Sequence, residues 1–195
     1  MYRPRVIPCL LLKNSGLVKS IKFKDHRYIG DPINAVKIFN DLRADELVFL
    51  DIAVGLENRK PNFEIIQKIA DESNMPFAYG GGITCINDIR LALKYGAEKV
   101  VINSAAIKNF SFVNEASQEF GSSTIVVSID VKKNLFGKYI VKINSGTTST
   151  EFDHATACLK AEDSGAGEII LTSIDCEGSM KGYDYFLYDS ITGFP

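Results

Sequence analysis

Two apolar runs, IPCLLLK (Ile7 to Lys13) and VVSIDVK (Val126 to Lys132), align residue for residue, pairing Ile7 with Val126, Leu10 with Ile129, Leu11 with Asp130 and Lys13 with Lys132. Asp130 is the residue of most chemical interest. A carboxyl group at the end of an apolar strand is desolvated, which raises its pKa toward the range useful for proton transfer. Leu11 occupies the matching place in the first run, where no proton can be carried. Asp51 ends a third apolar run, DELVFLD, and is a second candidate acid. Either aspartate serves equally well as a hydrogen-bond acceptor behind the reacting groups.

Anion-binding chemistry has its own candidates. FAYGGGITCINDIR (Phe77 to Arg90) reads as a strand, three glycines and a helix start, with Asn87 or Thr84 available as the cap. Glycines let backbone N–H groups approach an anion, and a helix N-terminus adds a favourable dipole. A tight turn without a ligand is the plain alternative. VINSAAIKN (Val101 to Asn109) ends a strand in Asn103 and Ser104 before small residues that open a helix. In LTSIDCEGSMKGYD (Leu171 to Asp184), Thr172, Ser173, Asp175 and the turn Glu177-Gly178 form a polar loop; Thr172 and Gly178 are its candidate substrate contacts. KNSGLVKSIKFKDHRYIGDP (Lys13 to Pro32) reads as a lid over phosphate or as a solvated loop.

These residues need a frame. Short apolar, β-branched runs alternate with segments of helical period, the pattern of βα units building a parallel sheet. Strands are expected at Arg5 to Leu11, Glu46 to Asp51, Phe77 to Tyr79, Lys99 to Asn103, Thr124 to Asp130 and Glu168 to Ser173. Helices are expected at Pro32 to Leu42, Asn62 to Ser73, Ile86 to Tyr95, Ser111 to Phe120, Phe152 to Ser164 and Asp184 to Ser190. A hairpin from Asn134 to Ser145 follows the fifth strand. RADELVFLD, GAEKVVINS and GAGEIILTS repeat one another before strands two, four and six. In a closed (β/α)8 barrel, alternate strands feed the same interior layer, which would bring Glu46, Lys99 and Glu168 to one level at the N-terminal end. Ordinary rim charges are the alternative.

Composition narrows the function classes. The 195 residues are 46% hydrophobic and 24% charged, enough for a full core, and the net charge of -2 provides no basic field for a nucleic acid. No apolar run approaches the roughly 20 residues that span a bilayer, and the N-terminus lacks a secretory signal, so a cytoplasmic protein is expected. The four cysteines are widely spaced and only two histidines are present, so neither a metal site nor a cofactor is expected. Cys9 lies inside an apolar strand and reads as a small buried hydrophobe.

RVIPCLLLK, DELVFLDI, FAYGGGI, GAEKVVINSAA, VVSIDVKK and GAGEIILTSID, in this order and spacing, resemble the cyclase subunit family of imidazole glycerol phosphate synthase, from about residue 3 to the last. The phosphoribosyl-formimino isomerase of the same pathway shares the barrel and the glycine loop, but DELVFLDI and GEIILTSID fit the cyclase better. The resemblance implies histidine biosynthesis on a (β/α)8 TIM barrel. Ammonia arrives from a glutaminase partner at the N-terminal face, as a heterodimer, and crosses to a bis-phosphorylated ribulosyl substrate at the C-terminal face. Arg5, Glu46, Lys99 and Glu168 match the charged ammonia gate, and Lys19 matches the lid lysine. Gly82, Asn103 and Ser104 match one phosphate site, and Asp130 matches one of two catalytic aspartates.

This sequence departs from the family pattern in two ways. The other catalytic aspartate falls at Leu11. The sequence also stops at SITGFP, where strand seven would begin, although a full barrel needs roughly 250 residues. The expectation is a single barrel domain over residues 1–195 lacking the last two βα units, a truncated frame or fragment without the second phosphate site. Leu11 beside an intact gate fits a paralogous branch that channels ammonia for amidination of a surface-polysaccharide sugar, in lipopolysaccharide biosynthesis. An inactive fragment that only binds a glutaminase is the non-enzymatic alternative.

Overall fold

Prolines decide where the chain first joins a sheet. Pro4 and Pro8 have no N–H to donate, so pairing starts after them. The first strand, β1 (Cys9–Lys13), accordingly begins four residues later than expected and runs two further. In the computed structural model, residues 3–57 and 59–191 are described.

After β1 come β2 (Gly16–Ile21), β3 (Lys24–Gly30), α1 (Pro32–Asp41), β4 (Leu47–Asp51), α2 (Val54–Glu57), α3 (Phe63–Glu72), β5 (Phe77–Gly80), α4 (Ile86–Lys94) and β6 (Lys99–Ile102). Then follow α5 (Ser104–Lys108), α6 (Phe110–Phe120), β7 (Ile125–Lys133), β8 (Tyr139–Ile143), β9 (Thr148–Ser149), α7 (His154–Asp163), β10 (Glu168–Ser173) and α8 (Tyr185–Asp189). The six expected strands are β1, β4, β5, β6, β7 and β10, each leading to a helix, β1 by way of β2 and β3 and β7 by way of β8 and β9: the α/β class in repeated βα units. Contacts divide the chain into two compact units, residues 1–19 with 27–101 and residues 20–26 with 102–195.

In the first unit the strands run parallel in the order β1, β4, β5, β6, with Leu12 opposite Asp51, Leu47 opposite Phe77 and Ala78 opposite Lys99. Parallel strands covered on both faces are apolar throughout, which is why LVFLD does not alternate. Phe49 and Phe77 meet edge to face at 6.1 Å. Helix α3 buries Ile65, Ile66 and Ile69, a stripe at helical spacing. Its N-cap, Asn62, accepts from the Ile65 N–H at 3.2 Å.

The second unit is built on β7, whose residues 125–131 are all buried. Strand β10 runs parallel to it from Glu168 opposite Val126 to Ser173 opposite Val131. Phe112, Val113 and Ala116 of α6 and Ala157, Cys158 and Ala161 of α7 are the buried faces of its helices. Strand β7 outruns its expected end at Asp130 because β8 pairs antiparallel with residues 130–133, the hairpin anticipated from Asn134. Asn134 Oδ1 fixes that turn by accepting from the Phe136 and Lys138 N–H groups.

One expectation needs correction. The segment from Lys13 to Pro32 is not an irregular loop: it forms β2 and the largely exposed β3, and β2 pairs antiparallel with β1. Its two-residue turns, Asn14-Ser15 and Lys22-Phe23, have positive φ at both residues. Such turns are normally announced by Asn-Gly or Asp-Gly. Lys22-Phe23 carries no such signal.

Candidate active site

Asp130 lies on β7 with its carboxyl buried, 9% exposed. Burial pushes its pKa up to about 7, against the opposing effect of hydrogen bonds with Asn103 and Ser128. Asn103 donates from Nδ2 to Asp130 Oδ2 at 3.1 Å and to the Ser128 carbonyl at 3.0 Å. Ser104 Oγ donates to Asn103 Oδ1 at 3.0 Å and accepts from the Asn144 N–H, also at 3.0 Å. Thr172 stands opposite Asp130 in the parallel register, so both side chains leave the same face of the sheet. Asp130, Asn103, Ser104 and Thr172 thus form one polar cluster at β7 and its neighbours. A carboxyl poised near neutrality can both take and return a proton at physiological pH.

The loop after β10 is tied to the β2–β3 turn. Glu177 Oε1 accepts from Ser20 Oγ at 2.9 Å, Oε2 accepts from the Phe23 N–H at 3.0 Å, and the Glu177 carbonyl accepts from the Lys22 N–H at 3.0 Å. Gly178 has φ +64, and a Cβ there would strike the Ser20 carbonyl. Only glycine lets the two backbones come this close. Asp175 Oδ2 accepts from the Lys133 N–H at 3.0 Å. On the opposite face of β10, Ser173 Oγ and Tyr139 Oη donate to the buried Asp184 at 3.1 and 2.8 Å. Burial alone would raise Asp184; Tyr139, Ser173 and Lys133 together hold it below the usual carboxylate range.

In the first unit, Glu46 is 2% exposed and accepts from two cations at one oxygen. Arg5 Nη1 lies 2.9 Å and Lys99 Nζ 2.8 Å from its Oε2. Three of the four expected gate residues therefore meet. The fourth, Glu168, opens β10 in the second unit and is half-buried. Asp51 is buried, and burial raises its pKa although Arg59 grips both its oxygens at 3.1 Å and Ala53 N–H donates at 3.2 Å. Gly82 has φ +72, and a Cβ there would run into the Val54 side chain. Lys19 is exposed on β2, between the buried Val18 and Ser20.

The helix start after the glycines is organised differently from expectation. Cys85 is the N-cap of α4 and makes no side-chain cap bond, and neither Thr84 nor Asn87 fills that position. Asp88 instead reaches back to the Thr84 N–H and Oγ1, both at 3.0 Å, and meets Lys60 Nζ at 3.0 Å. Burial would raise Asp88, but these donors hold it low. An acid at the third helical position is half of a capping-box signal, so Asp88 was findable in the sequence. Cys9, expected inside the core, is exposed. Arg59, Asn144 and the clamping role of Glu177 carry no local signal.

Among the described residues no helix is long and apolar enough to cross a membrane, and no three acidic, histidine or cysteine side chains gather to hold a metal ion. Residues 5–194 match the profile of the family described as "Histidine biosynthesis protein". "Putative imidazole glycerol phosphate synthase subunit hisF2" of Pseudomonas aeruginosa is 44% identical over 191 residues, 98% of this chain and 76% of its own length. "Imidazole glycerol phosphate synthase subunit HisF" of Hydrogenobaculum sp. is 42% identical, covering 98% of this chain and 76% of that protein. Its namesake in Lactococcus lactis subsp. cremoris is 44% identical over 98% of this chain and 74% of its own length. With such coverage, and with six βα units in the order of a (β/α)8 barrel, this chain belongs to the histidine biosynthesis protein family, among relatives named imidazole glycerol phosphate synthase subunit HisF.

Proposed function

We propose that this chain is a cyclase-type subunit of imidazole glycerol phosphate synthase, which uses ammonia from a glutaminase partner on a bis-phosphorylated ribulosyl substrate. The observation that carries the reading is the buried Asp130, poised near neutral pH and held by Asn103. In this role Asp130 shuttles the protons that addition of ammonia and ring closure require. Gly82 and the exposed Lys19 in the first unit, and Asn103, Ser104, Thr172 and Gly178 in the second, are the residues this reading assigns to the phosphorylated substrate. Ammonia enters past the ion-pair knot of Arg5, Glu46 and Lys99. Because ammonia is uncharged, Glu46 need only release one cation to let it by.

The test is turnover of the bis-phosphorylated substrate by the full chain, with the glutaminase subunit and glutamine or with ammonium salt alone. Asp130→Asn is expected to lower kcat by about 10²–10⁴, the typical worth of a positioned acid or base. Loss of the ammonium-dependent reaction in neither variant nor control would reject the role of Asp130.

One observation favours a second reading. Leu11 lies beside Leu50 and Val18, an apolar place where a second acid belongs in the resemblance. A chain with the gate kept and that acid lost suits delivery of ammonia to a sugar for amidination. A wild-type chain inert toward the ribulosyl substrate and activated by Leu11→Asp would favour this second reading.

A further inference from the structure

The backbone N–H of Asn144 can only donate, and this fixes the direction of every bond that follows it. Ser104 Oγ accepts from it at 3.0 Å, so the hydroxyl proton is free to point at Asn103 Oδ1, 3.0 Å away. That choice turns the Asn103 amide so that its two N–H groups face the Ser128 carbonyl and Asp130 Oδ2. The opposite flip would set the amide oxygen against two acceptors and leave the Ser104 proton facing an NH2 group. Both amide hydrogens and the hydroxyl proton are therefore engaged inside the protein in this arrangement.

We propose that Ser104, ordered by the Asn144 amide at the end of β8, is a positioning residue: it locks Asn103 in the one orientation that donates to Asp130. The proposal deepens the reading of Asp130 as the working acid, and rests on it for its catalytic meaning. It does not rest on it for its physics. The hairpin, whose turn follows Ile143, thereby becomes part of the acid's support. Asn144 itself has positive φ, 53°.

The charged groups around Asp130 leave room for this bond to matter. Lys142 on β8 is its antiparallel partner, but its ammonium is engaged by Ser149 Oγ at 2.6 Å. Thr172 faces Asp130 from β10, and Lys132 follows it on the same face of β7. From α5 and the residue before it, Ser104 and Asn103 face it. Ser128 is its neighbour along the strand.

The experiment is a substrate-free titration of the full chain with ¹³C-labelled aspartate carboxyls, Asp130 assigned by its loss in Asp130→Asn. Ser104→Ala should move the Asp130 midpoint up by about half a unit or more, since a donor to the ionised form is loosened. Asn103→Ala should move it at least as far. Ser104→Thr, which keeps the hydroxyl, should titrate as wild type, and its circular dichroism and Tm establish that the site is folded. The Asn144 amide should exchange faster in Ser104→Ala and not in Ser104→Thr. Wild-type titration in Ser104→Ala alongside a shift in Asn103→Ala would overturn the proposal, as would a Ser104→Thr variant that behaves like Ser104→Ala. Where the wild-type chain turns over the ribulosyl substrate, Ser104→Ala should lower kcat and leave KM unchanged; a raised KM with an unmoved titration would return Ser104 to phosphate contact. A chain inert toward that substrate bears on the function alone, because the titration is read without it.

Discussion

Asn103 Nδ2 stands 3.1 Å from Asp130 Oδ2, across the 27 residues that separate them in the chain. The contact joins the end of one strand to the middle of another, and it gives a buried carboxyl one of its hydrogen-bond donors. Burial wins over this bond, which is why Asp130 titrates near 7. The consequences reach beyond catalysis.

Asp130 should make stability depend on pH in a defined window. Its folded pKa, about 7, lies above its ordinary 3.8, so between these values the folded state holds a proton that the unfolded state has released. Its contribution is complete below about pH 4 and is lost as pH rises through 7. Asp130→Asn should therefore be more stable than wild type at pH 8, by up to a few kcal/mol, with the difference vanishing near pH 4. Urea unfolding of both chains across this range measures it. Equal pH dependence in the two chains would contradict the burial of the charge.

Glu177 should control the β2–β3 turn. Glu177→Ala removes the acceptors of Ser20 Oγ and the Phe23 N–H, bonds to a charged group worth about 1.5–3 kcal/mol each. Faster tryptic cleavage at Lys22 and Lys24 and faster exchange of the Phe23 amide are expected. Glu177→Gln keeps one carbonyl acceptor and should fall between the two. Protection unchanged in Glu177→Ala would show that the turn is held by other contacts.

Gly178→Ala should weaken the same contact from the other side. The new Cβ meets the Ser20 carbonyl at a φ that side chains avoid, and a cost of at least about 1 kcal/mol follows. A lower urea midpoint with an unchanged m-value is the expected result, together with the loosened turn of Glu177→Ala.

Glu46→Ala should destabilise more than its surface counterparts. Lys99 is 15% exposed and loses the carboxylate 2.8 Å from its Nζ, whereas Arg5 is half exposed and can turn to water. A loss of about 2–4 kcal/mol is expected, read as a drop in Tm. Lys37→Ala, whose partner Glu72 lies 3.9 Å away on the surface, should change Tm little. Equal effects in the two variants would argue against a buried knot.

The order of elements was readable in the amino-acid sequence because periodicity is local. Apolar runs, capping residues such as Asn62 and Asp153, and the small residues before β6 and β10 lie within a few positions of what they govern. Strand ends are not local where a distant partner extends the pairing, as β8 does for β7 and β2 for β1. The turn at Lys22-Phe23 was hidden because its positive φ values are imposed by the strands it joins instead of by glycine or asparagine.

Candidate acids and glycines were likewise visible as residue types, and the recurring strand pattern placed Glu46, Lys99 and Asp130 at strand ends. Their partners were decided only by the folded chain. Arg59 grips Asp51 from 8 residues away, and Glu177 holds Ser20 from 157. No one-dimensional pattern carries such pairs, because hydrogen bonds depend on distances and directions that exist only after the backbone has brought the groups together.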